Sequence, residues 1–177
     1  TLDILQRAAD LQVTAVDRND ERLRRVDENL CRAGHRAALY VGDAARPQDA
    51  EWGRERYQRI LLDVPCSATG VLRRHPDIRL LRREPDIVGL AERQAAILAA
   101  LWPLLLPGGR LLYVTCSLLP AENALQVDAF LKRHADAEAV ELPAIPGIRS
   151  GRGVQLLPGI DDTDGFFYAA LEKRVTV

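Results

Sequence analysis

No stretch of about 18 uncharged apolar residues runs anywhere in the 177-residue chain. Its first residues lack the basic, apolar and small-residue succession of a secretion signal. Neither a membrane span nor export is expected, and the cytoplasm is the default compartment. Cysteine is scarce: Cys31, Cys66 and Cys116 are an odd number without CxxC spacing, which argues against a disulfide framework and against the usual zinc site. No metal is therefore expected, and free thiols suit a reducing compartment. The net charge of −1 lacks the clustered basic excess of a nucleic-acid protein. There is no GxGxxG, no internal repeat and no low-complexity tract. What remains is a balance of 47% apolar and 28% charged residues in alternating segments, which excludes disorder. The length suits one domain, 1–177, and is too short for two ordinary ones; a monomer is expected.

Strands and helices alternate along the chain. Residues 2–11 have helical spacing, and 13–17 (VTAVD) form a β-branched strand ending on an acid. Asn19 is a plausible N-cap for a helix with Leu23, Val26 and Leu30 on one face and Gly34 at its end. Residues 37–41 and 57–63 are the next strands, separated by a weakly specified connection. The longest helix is expected over 87–106, with Leu90, Ile97, Leu101 and Leu104 on one face and Pro107-Gly108-Gly109 as its stop. A strand at 110–116 follows. Then comes a helix opened by Pro120, with Ala124, Val127 and Leu131 as its buried stripe. Residues 141–159 are expected to be loop, and 165–173 a last strand.

Such alternation implies α/β architecture with a mostly parallel, doubly wound sheet, whose ligands bind outside the carboxyl ends of the strands. Asp17, Asp43, Asp63 and Cys116 all fall at such ends and are expected to converge on one crevice. A single acid after a strand is more often a turn cap; three in successive units favour a shared cleft. An acid after the second strand of such folds can bind a ribose diol of either a nicotinamide or an adenosyl cofactor. The stretches LLDVPCSATG (61–70) and LLYVTCS (111–117) both end an apolar run near a thiol. By themselves they allow a metal site, a redox pair, or a nucleophile with a helper. Cys31, on a helix and away from both, is expected to be a small buried hydrophobe. RRHPDIRLLRR (73–83) carries five arginines against one acid, and guanidinium groups suit phosphates and stacked bases.

The motifs AVDRNDERLRRVDENLCRAG, GDA, LLDVPCSATGVLRRHPDI, LLPGGRLLYVTCSLLPAEN and LPGIDDTDGFFYAALEK resemble the bacterial RNA cytosine-5 methyltransferases, and within them the 16S ribosomal RNA enzymes of the Sun/Fmu group. A lone PC or TC dipeptide would mean little, but DxPCSATG paired with TCS and a following PxEN is very specific to the family, whose tRNA enzymes share these catalytic motifs. The resemblance implies a Rossmann-like fold of the S-adenosylmethionine-dependent methyltransferase type. It implies that Asp17 binds the ribose of S-adenosylmethionine and Asp43 its adenine side. By the same resemblance, Asp63 would lie beside both cofactor and target cytosine, Cys116 would be the nucleophile, and Cys66 would assist breakdown of the covalent adduct. Thiols suit that chemistry, because a thiolate is nucleophilic near neutral pH and leaves well. Arg73, Arg74 and His75, directly after the DVPCSATG loop, are expected to line the approach of an RNA strand. The target base must be unstacked to reach the thiol, and 16S ribosomal RNA is the expected partner.

One departure is that a first strand and glycine-rich loop precede the acidic strand in that family, whereas Thr1 stands where the loop has already ended. A truncated catalytic domain with an interrupted sheet, poor cofactor binding and little methyl transfer is therefore expected. Val64 stands where alanine is more usual. The rival readings are a nicotinamide-dependent oxidoreductase, which explains neither thiol, an RNA-binding module or inactive fragment, a tRNA cytosine-5 methyltransferase, and a thiol hydrolase. The last is the weakest, because His35, His75 and His134 lie off the strand end bearing Cys116.

Overall fold

The structure, a computed structural model, describes residues 1–8 and 10–175. They group into two compact units, 1–55 and 56–177, each taken here by itself.

The first unit contains α1 (Leu2–Arg7), β1 (Thr14–Asp17), α2 (Asp20–Arg32) and β2 (Ala38–Val41), followed by two 3-10 turns, Pro47–Asp49 and Glu51–Arg54. Strands β1 and β2 pair in parallel, Thr14 with Ala38 through Asp17 with Val41. This is the strand–helix–strand unit expected from the alternation. Asn19 caps α2 by accepting the Arg22 amide, Asp20 and Glu21 fill its first turn, and Gly34 takes φ +72° beyond its end. Leu23 and Leu30 are buried together with Leu5 and Trp52, while Val26 is only half-buried. Helix α1 stops at Arg7, short of the expected residue 11; residue 9 lies outside the described residues.

The second unit contains β3 (Tyr57–Asp63), the short α3 (Ile78–Leu81), α4 (Glu84–Leu101), β4 (Leu105–Thr115), α5 (Ala124–Arg133), β5 (Ala137–Val140), β6 (Ile148–Ser150), β7 (Gly153–Gln155) and β8 (Phe167–Lys173). Strand β3 pairs with β4 in parallel across the α4 crossover. Strand β8 lies antiparallel on the other side of β4, and its far edge is shared by β5 and β7, both antiparallel to it. The strands joined by helices are thus parallel, and the C-terminal strands extend the sheet in the antiparallel sense. The expected interruption is present: β1 and β2 form a two-stranded sheet of their own. In β8, Phe167, Ala169 and Leu171 are fully buried and alternate with half-exposed residues, the period of two of a strand with one covered face.

Three expectations need correction. The long helix ends at Leu101, because Pro103 removes an amide and the chain tightens into a 3-10 turn over Trp102–Leu104. Pro107-Gly108-Gly109 is therefore no helix stop but an irregularity inside β4: Tyr57 pairs with Leu105 and Arg59 with Arg110, while Gly108 takes φ +74°. Second, Pro120 opens a separate 3-10 turn, Pro120–Glu122, before α5, and the buried stripe of α5 is Ala124, Val127 and Phe130, with Leu131 half-exposed. Third, 141–159 contains the β6–β7 hairpin. Ser150 pairs with Gly153 across a two-residue turn in which Gly151 takes φ +57°. Strands of three residues bracketed by glycines carry too little periodicity to be found beforehand.

The segment Glu84–Leu104 is long and apolar enough by composition to cross a membrane. Its apolar stripe has another use here, since Ile97, Leu98, Leu101, Trp102 and Leu104 are buried in the core of this unit. Trp102 meets Phe130 edge to face, with ring centres 5.1 Å apart, and donates its indole N–H to Asp136 at 3.0 Å.

Candidate active site

Asp63 ends β3, and Cys116 stands one residue past the end of the parallel β4, with Asp63 in register with Val114. The carboxyl edge of this strand pair therefore brings Asp63, Cys66 and Cys116 to one place. Cys66 and Cys116, 50 residues apart in sequence, have their sulfurs 3.3 Å apart. Both are half-buried and free thiols.

The pair is electrostatically asymmetric. The Cys66 thiol, hydrogen-bonded to Cys116, holds the Cys116 thiol down from 9.0 to about 7, against burial and the negative charges of Asp63 and Glu122. Cys66 is pushed well above its ordinary range by the same hydrogen bond, by burial and by the charge on Cys116. The first proton to leave is therefore that of Cys116, and Cys66 keeps its own. The Asp63 carboxylate also acts with burial to raise the Tyr168 phenol.

A polar network that sequence reasoning left unassigned supports the two thiols. Ser67, Gln94, Thr115, Ser117, Glu122 and Asn123 are all buried. Gln94 lies on the otherwise apolar stripe of α4, and its Nε2 donates to the Pro65 carbonyl at 2.9 Å and to Glu122 at 3.0 Å. Tyr113 O–H donates to the Glu122 carbonyl at 2.7 Å and to Gln94 Oε1 at 3.2 Å. The Asn123 amide donates to the Ser117 carbonyl at 2.9 Å and to Gln155 Oε1 at 2.8 Å. The signal for Glu122 and Asn123 lay in PxEN, where they are two buried polar groups in a row.

Backbone contacts join the loops as well. The Gly70 amide donates to the Cys116 carbonyl at 2.9 Å, and the Gly165 amide to the Gly70 carbonyl at 2.8 Å. Ala68, between Cys66 and Gly70, sits in the left-handed region at φ +61°, a strained position held by this surrounding structure.

In the first unit, Asp17 and Asp43 stand at the carboxyl ends of adjacent parallel strands, β1 and β2. Each also closes a turn: Asp17 Oδ1 accepts the Asn19 amide at 2.8 Å, and Asp43 Oδ1 accepts the Ala45 amide at 2.9 Å. Asp17 further lies 3.8 Å from Arg22. Between them is Gly42, where a Cβ would meet the Trp52 indole at 3.1 Å.

The arginine cluster is partly engaged. Arg73 lies 3.3 Å from Asp162, Arg74 is paired with Asp164, and Arg82 donates to the Ser67 carbonyl at 3.1 Å; His75 is exposed. Cys31 corrects an expectation, since it is exposed on α2, 3.9 Å from Asp27. Its helix position was read properly, but Leu23 and Leu30 mark the buried face and Cys31 lies off it. Among the described residues, no three His, Cys, Asp or Glu side chains cluster to hold a metal ion.

The family described as 16S rRNA methyltransferase RsmB/F matches residues 1–172. The chain belongs to this family. It is 52% identical over 175 residues to the ribosomal RNA small subunit methyltransferase B of Escherichia coli O127:H6, covering 98% of the chain and 39% of that relative. Identity and coverage are the same for the protein of that description in Shigella sonnei. The chain thus spans about two fifths of the length of these curated relatives. Among solved structures it is similar to NSun6 from Pyrococcus horikoshii crystallised with SFG, a S-adenosylmethionine analogue, with a TM-score of 0.81 and 30% identity over 93% of the chain and 42% of NSun6. A methyltransferase homolog protein from the same organism gives a TM-score of 0.77 and 27% identity over 93% and 53%. The fold is the Rossmann-like one of S-adenosylmethionine-dependent methyltransferases.

Proposed function

We propose that the chain is the catalytic part of an enzyme that methylates carbon 5 of a cytosine in 16S ribosomal RNA, with S-adenosylmethionine as donor. The observation that carries the proposal is the pair of thiols at 3.3 Å on the carboxyl edge of β3 and β4, with Cys116 drawn down to about 7. A ring carbon as weakly nucleophilic as carbon 5 needs activation by a thiolate at carbon 6, and a paired thiol poised near neutrality suits that task. A nicotinamide oxidoreductase needs neither thiol.

When bound, the cofactor supplies an electrophilic methyl sulfonium. Asp17 and Asp43 are the candidates to hold it. Side by side at two parallel strand ends, they match the position at which carboxylates in doubly wound folds take a ribose diol. Cys116 Sγ bonds to carbon 6, and the electron pair of the carbon 5–carbon 6 double bond shifts onto carbon 5, shared through carbon 4 with ring nitrogen 3, which makes carbon 5 nucleophilic. Asp63, at the same strand edge, is the candidate to hold a proton at ring nitrogen 3, which favours addition. After methylation the carbon-5 proton passes to a base, for which Cys66 is the candidate once its own proton has gone to solvent; the carbon 5–carbon 6 double bond re-forms, the Cys116 thiolate is expelled and ring nitrogen 3 gives back its proton. Cys66 has a physical reason to help at that point. Its proton is held by the Cys116 charge and hydrogen bond, and both disappear once Cys116 Sγ is bonded to carbon. Arg73, Arg74 and His75 follow the Cys66 loop and are the candidates to meet RNA phosphates, with the Asp162 and Asp164 partners exchanged for phosphate. A reducing cytoplasm would keep both thiols reduced.

RNA carrying 5-fluorocytosine tests the reading, because fluorine cannot leave as a proton and the adduct persists. An enzyme of the relatives' full length that carries this chain is expected to be trapped covalently with S-adenosylmethionine present, and its Cys116→Ser variant is not. Trapping undiminished in Cys116→Ser would overturn the assignment of the nucleophile. Calorimetric titration of S-adenosylmethionine against a nicotinamide dinucleotide separates the two cofactor readings.

A further inference from the structure

The residues that follow the two cysteines, Ser67 and Ser117, end on the same buried carboxylate. Glu122 is wholly inaccessible. Its Oε1 accepts the Ser67 amide at 2.8 Å and Gln94 Nε2 at 3.0 Å, and its Oε2 accepts the Ser67 and Ser117 hydroxyls, each at 2.5 Å. Four donors on one carboxylate compensate the cost of burying it. The two serine hydroxyls also meet each other at 3.1 Å, and each lies 3.3 Å from the Thr69 hydroxyl. Thr69, on the Cys66 loop, also accepts the Leu118 amide at 2.9 Å, but Glu122 is the charged group on which both serines end.

We propose that Glu122 is a positioning residue for catalysis: through Ser67 and Ser117 it sets the separation of Cys66 and Cys116, and so keeps the Cys66 thiol within hydrogen-bonding reach of the Cys116 sulfur. The inference rests on the reading of Cys116 as nucleophile, since a spacing of thiols matters only if one of them reacts. A purely structural anchor could have been neutral. A buried charge near a thiol that must ionise is a cost, because the Glu122 carboxylate itself pushes the Cys116 thiol up. That cost makes sense where the geometry it enforces pulls the same thiol down by more. The hydrogen bond from Cys66 is the largest influence on Cys116 and the Glu122 charge the smallest.

These opposed signs provide the test. The pH dependence of Cys116 alkylation by iodoacetamide is measured on the chain carrying Cys31→Ser, with the modified thiol mapped by mass, for Glu122 and for Glu122→Gln. The groups facing Cys116 are Cys66, Asp63 and Glu122. If Glu122 positions the pair, its loss lets the loops part and the midpoint rises from about 7 to about 8 or higher. If Glu122 only fills space, removal of its charge lowers the midpoint, and a lowered or unchanged midpoint in the folded variant overturns the proposal. Should Glu122→Gln fail to fold, the Ser67→Ala/Ser117→Ala double variant decides. It leaves the carboxylate and the Ser67 amide bond in place, and a rise in midpoint supports the proposal while none overturns it. Because alkylation needs neither RNA nor cofactor, a raised midpoint together with no 5-fluorocytosine trapping by the full-length enzyme that carries this chain would break the reading of the reaction and leave the positioning role intact.

Discussion

Cys66 and Cys116 face each other with their sulfurs 3.3 Å apart, and the hydrogen bond between them draws the Cys116 thiol down and pushes the Cys66 thiol up. Cys116 is therefore the thiolate near neutral pH only as long as its neighbour donates to it. In Cys66→Ala the donor is gone, and the alkylation midpoint of Cys116 is expected to rise from about 7 toward 9.0. The rate with iodoacetamide near neutral pH should fall by about an order of magnitude, less than the loss of thiolate alone because a more basic thiolate is more nucleophilic. An unchanged pH profile would show that Cys66 does not set the ionisation.

Asp63 acts with the opposite sign. Its charge raises both Cys116 and Tyr168. In Asp63→Asn both groups should ionise at lower pH: Cys116 alkylation at about pH 6.5 should be roughly 1.5-fold faster, and the ultraviolet titration of the tyrosines should begin earlier. A shift of one group without the other would mean that Asp63 reaches only one of them.

The same 3.3 Å separation predicts a disulfide under mild oxidation. Diamide accepts the two thiol hydrogens and becomes its hydrazine while the sulfurs join; Cys116, ionised first, attacks the diamide and Cys66 then displaces it from the mixed adduct. Peptide mapping should find a Cys66–Cys116 cross-link, with a mass lower by two hydrogens, and Cys31 still alkylatable. Cross-linking through Cys31 instead would contradict the geometry.

The outer frame of this site was legible in the sequence for a physical reason. Strand ends followed by acids or thiols mark the carboxyl edge of a parallel sheet, and the end of Tyr57–Asp63 was legible because the apolar Ile60-Leu61-Leu62 stops at a charge. The inner frame was hidden. Gln94 sits within an apolar stripe at helical spacing and reads there as an interruption, although it bonds the Pro65 carbonyl and Glu122. Glu122 and Asn123 were noted only as part of a motif, since periodicity says nothing about which buried acid two distant loops will share. Antiparallel pairing of β8 against β4 was equally silent, because Phe167, Ala169 and Leu171 would alternate in the same way in either direction.

Gly70 marks the tightest point of that inner frame. A Cβ there would lie 1.9 Å from the Gly165 carbonyl oxygen and 2.9 Å from that of Cys116, both backbone atoms that cannot rotate away. Gly70→Ala must therefore part the Cys66 loop from the segment entering β8. It strains the bonds from the Gly70 amide to Cys116 and from the Gly165 amide to Gly70. Urea denaturation should register a loss of roughly 2–4 kcal/mol, the range of overpacking combined with broken buried hydrogen bonds. Gly89, on α4, is the control: a Cβ there meets nothing within 4 Å. Gly89→Ala should leave stability unchanged or raise it by up to about 1 kcal/mol through helix propensity. Equal effects at the two positions would mean that the close approach of Gly70 to the Gly165 and Cys116 backbones does not constrain the Cys66 loop.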